Sequence, residues 1–483
     1  MKTVTACLSL CLYLAAAPLW SQTKYSKETA ARIKSVENNL LPWVQTQEDV
    51  RWNLEERMKA YKVKGLSIAV IKDYKIDWVK GYGFADAAEN RKVDEKTLFQ
   101  AASISKSLNA VGMLKLAQDK KLDLYSDINT YLKSWKFPYD SVSKGKKITI
   151  ANLLSHTAGL SVHGFGGYSV TEALPSVTGI LDGKKPANSD PVRSEFESGL
   201  KFQYSGGGTT ISQLIAMDIT GKRYADYIWE TVLKPLGMAD SSYEQPPLAA
   251  KKNVLATAYN NDGIEIPGKY HVYPEQGAAG LWTNPTDLSK YIIEMQLAYA
   301  GKSQKVLNRD MVKLMTTPYE MSPGGLGVFI ANKGNISYFQ HGGANEGFRC
   351  HYFGSLEGGN GIVVMVNSDN GDIISEIISS VATTYNWKDF YTPAKKTVVK
   401  VPEAILNEYI GEYSHPDLSF SILKKDGSLW VKQGDLLWKM YFTSDTEFFM
   451  YEDHNTPQFI RNANGKVDGV KINDGFTVSK ASR

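Results

Sequence analysis

Two β-rich stretches that stand far apart in the chain do most to limit its fold. The first comprises Leu66 to Ile71 and Ile76 to Gly83, two β-branched and apolar runs around Asp73 and Tyr74, and it predicts a hairpin that begins an antiparallel sheet. The second is a series of strand signals at Gly325 to Ile330, Tyr338 to His341, Phe348 to Phe353 and Ile362 to Asn367. Helical spacing fills the interval at Ile148 to Ser155, Thr209 to Ile219 and Pro285 to Ala300. Sheet at both ends with helices between predicts one sheet completed by sequence-distant strands. Gly/Pro/Ser-rich loops separate the helices, the longest over 161–202, a length that suits the wall of a binding cleft.

Outside this core, residues 24–60 place Ile33, Val36, Leu40 and Leu41 on one helical face, with Trp52, Leu54 and Met58 following after a polar break. One or two opening helices are expected there, and Ile373 to Tyr385 has the spacing of a closing helix. Beyond the linker Thr392 to Pro402 the pattern changes to short alternating strands with hairpin signals at Asp426-Gly427 and Asn464-Gly465. Residues 401–483 are therefore read as a separate small all-β domain, a barrel or sandwich.

A chain of 483 residues exceeds one ordinary core. Its 43% hydrophobic and 22% charged content suits folded, water-exposed domains. The net charge of +4 is small, and no basic block exceeds pairs such as Lys395-Lys396, so no nucleic-acid surface is expected. Lys2 followed by the apolar run Val4 to Leu19 reads as a secretory leader over 1–21, too short to span a bilayer. A periplasmic or secreted protein without a stable membrane span follows. Removing the leader takes Cys7 and Cys11 with it, and Cys350, inside an apolar run, reads as a small buried hydrophobe.

A serine that transfers acyl groups needs a base within hydrogen-bond reach and donors for the oxyanion. Ser103-Ile104-Ser105-Lys106 can supply the first, because residues three apart share one face of a helix. The spacing alone is common here: Ser141 to Lys144, Ser143 to Lys146, Ser198 to Lys201 and Ser421 to Lys424 repeat it. Ser103 differs in context, since it follows the extended run Phe99 to Ala102 and opens an apolar helix containing Leu108, Val111, Met113, Leu114 and Leu116. A helix start also offers free N–H groups and positive potential to the hydroxyl oxygen.

Phe99-Gln100-Ala101-Ala102-Ser103-Ile104-Ser105-Lys106 closely resembles the active-site motif of serine β-lactamases and penicillin-binding proteins, above all the class C group with its D-peptidases and esterases. Tyr204-Ser205-Gly206 resembles that group's second motif and His341-Gly342-Gly343 its third, in the family's order. The stretches Leu153 to Leu160 and Ala278 to Trp282 are similar to segments that recur in these proteins. The resemblance covers roughly 55–390. It implies an α/β (α+β) fold, a β-lactamase-like domain with an antiparallel sheet and a helical lobe over 22–391, followed by a lipocalin-like tail. It further implies that Ser103 forms the acyl-enzyme, that Lys106 and Tyr204 share its proton, and that His341 borders this network. The backbone N–H groups of Ser103 and Ala344 would hold the oxyanion, with Gly342 and Gly343 letting a substrate lie along the strand.

Gly206 stands where the family usually has Asn, which favours esterase or peptidase chemistry over strong β-lactam hydrolysis. The same departure leaves open a non-catalytic binding or scaffold protein that kept the fold. His156 is expected as a structural residue at a helix end, and Asn345, Glu346 and Arg349 as pocket lining or paired surface charges. His163, His271, His351, His415 and His454 are scattered, and no Gly-x-Ser-x-Gly or His-Glu-x-x-His motif occurs. No cofactor or metal is expected, and a small molecule or cell-wall peptide is the expected substrate.

Overall fold

The computed structural model describes residues 25–481, apart from 435, 453–454 and 474–475. The expected leader over 1–21, with Cys7 and Cys11, lies outside the described residues, as does His454.

A seven-stranded antiparallel sheet forms the centre: β1 (Gly65–Lys72), β2 (Lys75–Asp86), β3 (Arg91–Lys92), β4 (Phe329–Lys333), β5 (Ile336–Asn345), β6 (Phe348–Ser355) and β7 (Gly361–Val366). Its order is β3-β2-β1-β7-β6-β5-β4, so the first hairpin and the late strands meet at the β1–β7 seam, Val70 opposite Ile362 and Ile68 opposite Val364. The hairpin turns at Asp73 and Tyr74, whose φ angles of 52° and 61° are the paired positive values that a tight β1–β2 connection needs.

Both faces of the sheet are covered, which explains the unbroken apolar run of β7. On the front, Ala69, Val363, Met365 and Tyr352 join one core with α2 (Ser105–Gln118), α3 (Gly206–Thr220) and α4 (Pro285–Tyr299). On the back, Ile68, Val70, Ile362 and Val364 join a second core with α1 (Lys27–Asn38) and α5 (Asp372–Thr384).

Two local expectations shift. The opening helix stops at Asn38, and Leu40, expected on its apolar face, instead exchanges backbone hydrogen bonds with Trp52. The strand expected over Gly325 to Ile330 begins only at Phe329. A Cβ on Gly325 would lie 2.0 Å from Met315 O, and Gly327 has φ 79°, so the glycines make a turn pressed onto the helical lobe rather than a strand.

The tail forms a short helix, Glu403–Tyr409, and a second seven-stranded antiparallel sheet with strands from Gly411–His415 to Phe476–Lys480, around Tyr409, Tyr413, Phe420 and Phe459. Its outer strands, Leu436–Lys439 and Gln458–Arg461, are not paired with each other among the described residues, so strand pairing does not close the sheet into a ring. The tail meets the earlier part of the chain through the Thr46 and Tyr451 hydroxyls, 2.7 Å apart, and through Arg57, which pairs with Glu376 of α5 and with Glu452 of the tail.

Candidate active site

Ser103 stands where a strand gives way to a helix. Phe99–Gln100 pairs with Trp282–Thr283, the Ala101 N–H donates to Leu281 O at 2.8 Å, and one tight turn, Ala102–Ile104, leads into α2. Ala102 takes φ 47°, a left-handed conformation that costs a residue bearing a Cβ about 1 kcal/mol. Ala102 and Ile104 are fully buried, whereas Ser103 between them remains part-exposed. Its N–H belongs to the first turn and has no acceptor within the helix.

α2 is buried along most of its length, and its polar residues hold it in place. Ser107 donates to Gly327 O at 2.9 Å, Asn109 donates to Ser212 Oγ at 2.9 Å, and the Tyr243 hydroxyl donates to Ser105 O at 2.7 Å. Satisfied buried polar groups of this kind fix a helix in one position rather than merely burying it. The Ser103 side chain therefore sits on a rigid element.

Lys106, 4% exposed, donates to Ser103 Oγ at 3.0 Å and to Ala278 O at 2.8 Å. The carbonyl acceptor comes from the Ala278 to Trp282 stretch, which thereby aims the amine at the serine. The Lys106 ammonium also lies 4.9 Å from the centre of the Tyr204 ring. Tyr204 immediately precedes Ser205, whose hydroxyl caps α3 by accepting from the Gly208 N–H at 2.9 Å. The phenol is thus carried at a helix entrance, beside the amine.

Around Tyr204 stands a ring of aromatic groups. The His156 imidazole lies 4.3 Å from it centre to centre, Phe329 stacks at 6.4 Å, and His341 is at 6.4 Å. His156 closes the helix Ile150–Ser155 in a left-handed conformation, and its Nδ1 accepts the Ser205 N–H at 3.2 Å. It holds the Tyr204 segment and makes no hydrogen bond to Ser103. His341 Nδ1 lies 2.6 Å from Gly342 O; a carbonyl can only accept, so that nitrogen carries the proton and Nε2 presents its lone pair. Burial, then the nearby Lys106 charge, pushes His341 down to about 3 and His156 well below the usual imidazole range, so both are neutral at pH 7.

The third segment lies on a free strand edge. β4 pairs with β5 only as far as Gln340, whereas β6 continues to Asn345, so His341 to Asn345 have a strand on one side alone. The other edge runs beside the Ser103 turn. A Cβ on Gly343 would come 2.3 Å from Ala101 O and 2.6 Å from Cys350 Sγ, so this glycine lets β5 press against the residues preceding Ser103. Room for a substrate is not what that position provides. Ala344, next along, is exposed on this edge, and Asn345 is buried, donating to Gln100 Oε1 at 2.7 Å and Ala279 O at 3.1 Å. Arg349 pairs with Asp369 at 2.9 Å, and Cys350 is buried, which pushes its thiol up.

Gly206 opens α3, and a Cβ there would meet the Phe165 ring at 2.9 Å. The space a longer side chain would enter is taken by a ring from the 161–202 loop. Phe165, Phe202 and Phe329 are site neighbours that local sequence did not single out; the length of that loop was the signal for the first two, and the strand pattern over Gly325 to Ile330 for the third. Ser103, Tyr204, His341, Gly342, Gly343 and Ala344 line one cavity of about 840 Å³. Among the described residues no cluster of three or more His, Cys, Asp or Glu could hold a metal ion, and no helix is long and apolar enough to cross a membrane.

The Beta-lactamase family model matches residues 50–375. The chain is 25% identical over 382 residues to Protein flp of Staphylococcus aureus (strain N315), covering 76% of this chain and 71% of that protein. It is 24% identical over 380 residues to the putative penicillin-binding protein PbpX of Bacillus subtilis (strain 168), covering 75% of this chain and 82% of that one. Among solved structures, the octameric penicillin-binding protein homologue from Pyrococcus abyssi superposes with a TM-score of 0.58 at 18% identity, over 88% of this chain and 98% of its own.

Proposed function

The chain belongs to the Beta-lactamase family, whose members are typically serine hydrolases, and from that premise we propose that it is an exported hydrolase that works through an acyl-enzyme on Ser103. The observation that carries this reading is the buried Lys106 amine held 3.0 Å from Ser103 Oγ at the tip of a rigid helix.

In the proposed cycle Ser103 Oγ attacks the carbonyl carbon of an ester, amide or lactam. Its proton passes by way of Lys106 and Tyr204 to the leaving group. The tetrahedral oxyanion is held by the N–H groups of Ser103 and Ala344, each such donor being worth about 10²- to 10³-fold in rate. Water then attacks the acyl-enzyme by the same route in reverse. His341, neutral and proton-bearing on Nδ1, offers an Nε2 lone pair to the cavity without adding charge. Residues 1–21 are the proposed export leader, and 22–391 and 401–483 the proposed domains.

Ester or D-peptide substrates are favoured over β-lactams because Gly206 has no amide to offer and Phe165 fills the adjoining space. The same observation favours, second, a binding protein that kept the fold without turnover. Ser103→Ala decides between them: it abolishes p-nitrophenyl ester hydrolysis with an unchanged melting temperature if the enzyme reading holds, whereas rates equal to wild type refute the site. Comparing D-Ala-D-Ala peptides with short acyl esters then separates peptidase from esterase.

A further inference from the structure

The cavity at Ser103 continues past the aromatic groups around Tyr204 into an arm beside α5. The arm opens at Phe329, the first residue of β4, whose ring stacks on Tyr204 at 6.4 Å and lies 5.2 Å from His341. In register, Phe329 stands opposite Gln340 and Gln340 opposite Phe353, so the three form one cross-strand row on the face of the sheet toward α5. His351, two residues before Phe353, shares that face and stacks on the Phe353 ring at 4.7 Å with the planes 8° apart. Its Nε2 lies 2.8 Å from Gln340 Oε1; an amide oxygen only accepts, so Nε2 carries the proton and Nδ1 keeps the lone pair. Burial pushes this imidazole down to about 4, so it is neutral at pH 7.

Gly342 stands opposite His351 on β5, and a Cβ there would come 3.3 Å from Nδ1, so the glycine leaves that nitrogen uncovered beside the free strand edge. Among the described residues no group donates to Nδ1, and no carboxylate lines the cavity. The walls around it include Phe329, Phe353, Ile374 and Ile378. Once the apolar body of a substrate displaces water from such a place, an acceptor left unmatched costs affinity. We propose that His351 is a specificity residue of this site, whose Nδ1 accepts a hydrogen bond from an O–H or N–H that the leaving group carries beyond the bond that breaks, with the apolar body of that group against Phe329 and Phe353. The proposal rests on Ser103 being the nucleophile. A leaving group takes its proton at the Lys106 and Tyr204 end, and Phe329, at that end, is the entrance to the arm, so the departing portion is the one that enters.

The test uses the full chain and acetate esters in matched pairs: 4-(hydroxymethyl)phenyl against 4-ethylphenyl acetate, and 4-(2-hydroxyethyl)phenyl against 4-propylphenyl acetate. Within a pair the phenols are alike in size and acidity, and the acyl group is the same throughout. In each case Ser103 Oγ bonds the acetyl carbon, the ester C–O bond breaks, the phenol leaves with the proton, and water releases acetate and restores the hydroxyl. The quantity read is the ratio of kcat/KM for the hydroxyl ester to that for its alkyl partner, from which a general loss of activity cancels. His351→Phe keeps a ring on Phe353 and removes the acceptor, and the ratio should fall by at least about threefold in one pair or both, the scale of one hydrogen bond. Gly342→Ala covers Nδ1 without altering His351 and should lower the same ratio, so it decides if His351→Phe does not fold. Labelling of Ser103 by a short-chain fluorophosphonate certifies that each variant is folded. Ratios that fall by less than this in both pairs, or a labelled wild type that turns over no ester of either pair, overturn the role of His351 and leave the nucleophile standing. No turnover and no Ser103 label overturn the nucleophile, and the role of His351 with it.

Discussion

Ser103-Ile104-Ser105-Lys106 and Ser421-Ile422-Leu423-Lys424 carry the same spacing and meet opposite fates. The first pair opens a buried helix, where residues three apart share a face, and its amine and hydroxyl are 3.0 Å apart. The second lies within the strand Leu418–Lys425, where side chains alternate, so Ser421 and Lys424 face opposite ways. Lys424 instead bonds Glu403 at the surface. The spacing becomes chemistry only where the backbone brings the groups together and burial keeps water from the amine. The tail supplies the control for the Ser103 pair inside one molecule.

The largest contrast should come from the two lysines. Lys106→Ala lowers kcat for a p-nitrophenyl ester by about 10³-fold, the usual scale for losing a proton-transfer group. Lys424→Ala leaves it within about twofold, since a surface pair is worth little. Equal losses, or a Lys106→Ala enzyme that keeps a tenth of its rate, would erase the distinction.

Two carboxyls extend it to stability. Glu275 is fully buried beside the Lys106 acceptor helix Gln276–Ala279, neither oxygen has a hydrogen-bond partner, and burial pushes it up to about 7 from 4.5. A carboxyl whose folded pKa is raised stabilises the fold below its unfolded pKa and loses that contribution as pH rises through the folded one. Between pH 4.5 and 7 the protein should therefore lose about 3 kcal/mol that Glu275→Gln does not lose. Urea midpoints at pH 5 and pH 8 read this directly, and parallel behaviour of the two proteins would count against it. Glu403→Gln, beside Lys424, should leave the difference between those two pH values as it is in wild type.

Glycines give the smallest pair. Gly343→Ala forces β5 off Ala101 and should cost about 10²-fold in kcat/KM through misplacement of the Ala344 N–H. Gly427→Ala has no neighbour within 4 Å but sits at φ 73°, so it should lower stability by about 1 kcal/mol while leaving turnover unchanged. Activity losses that follow melting temperature in both variants would show that Gly343 has only a folding role.

Local pattern made the Ser103 turn and the β1–β2 hairpin legible, because both depend on neighbours in sequence: an extended run meeting an apolar helix, and Asp73-Tyr74 between β-branched runs. The closure of the sheet was also readable, as strands at both ends need one another. Positions set by distant backbone were not. Gly343 reads as space for substrate until Ala101, more than two hundred residues earlier, is seen against it. Phe165 beside Gly206, and Ala278 O beneath Lys106, are likewise contacts between segments that carry no mark of each other. The short glycine turn ahead of Phe329 read as strand because its apolar spacing hid the pressure from Met315.

The most direct measurement incubates the purified protein with a fluorophosphonate or a fluorescent penicillin and locates the adduct by peptide mass spectrometry. The account predicts one acyl or phosphonyl group on the peptide bearing Ser103, lost in Lys106→Ala, and none on the peptide bearing Ser421. A protein that stays unlabelled at Ser103 under every condition, or takes the group elsewhere, would contradict it.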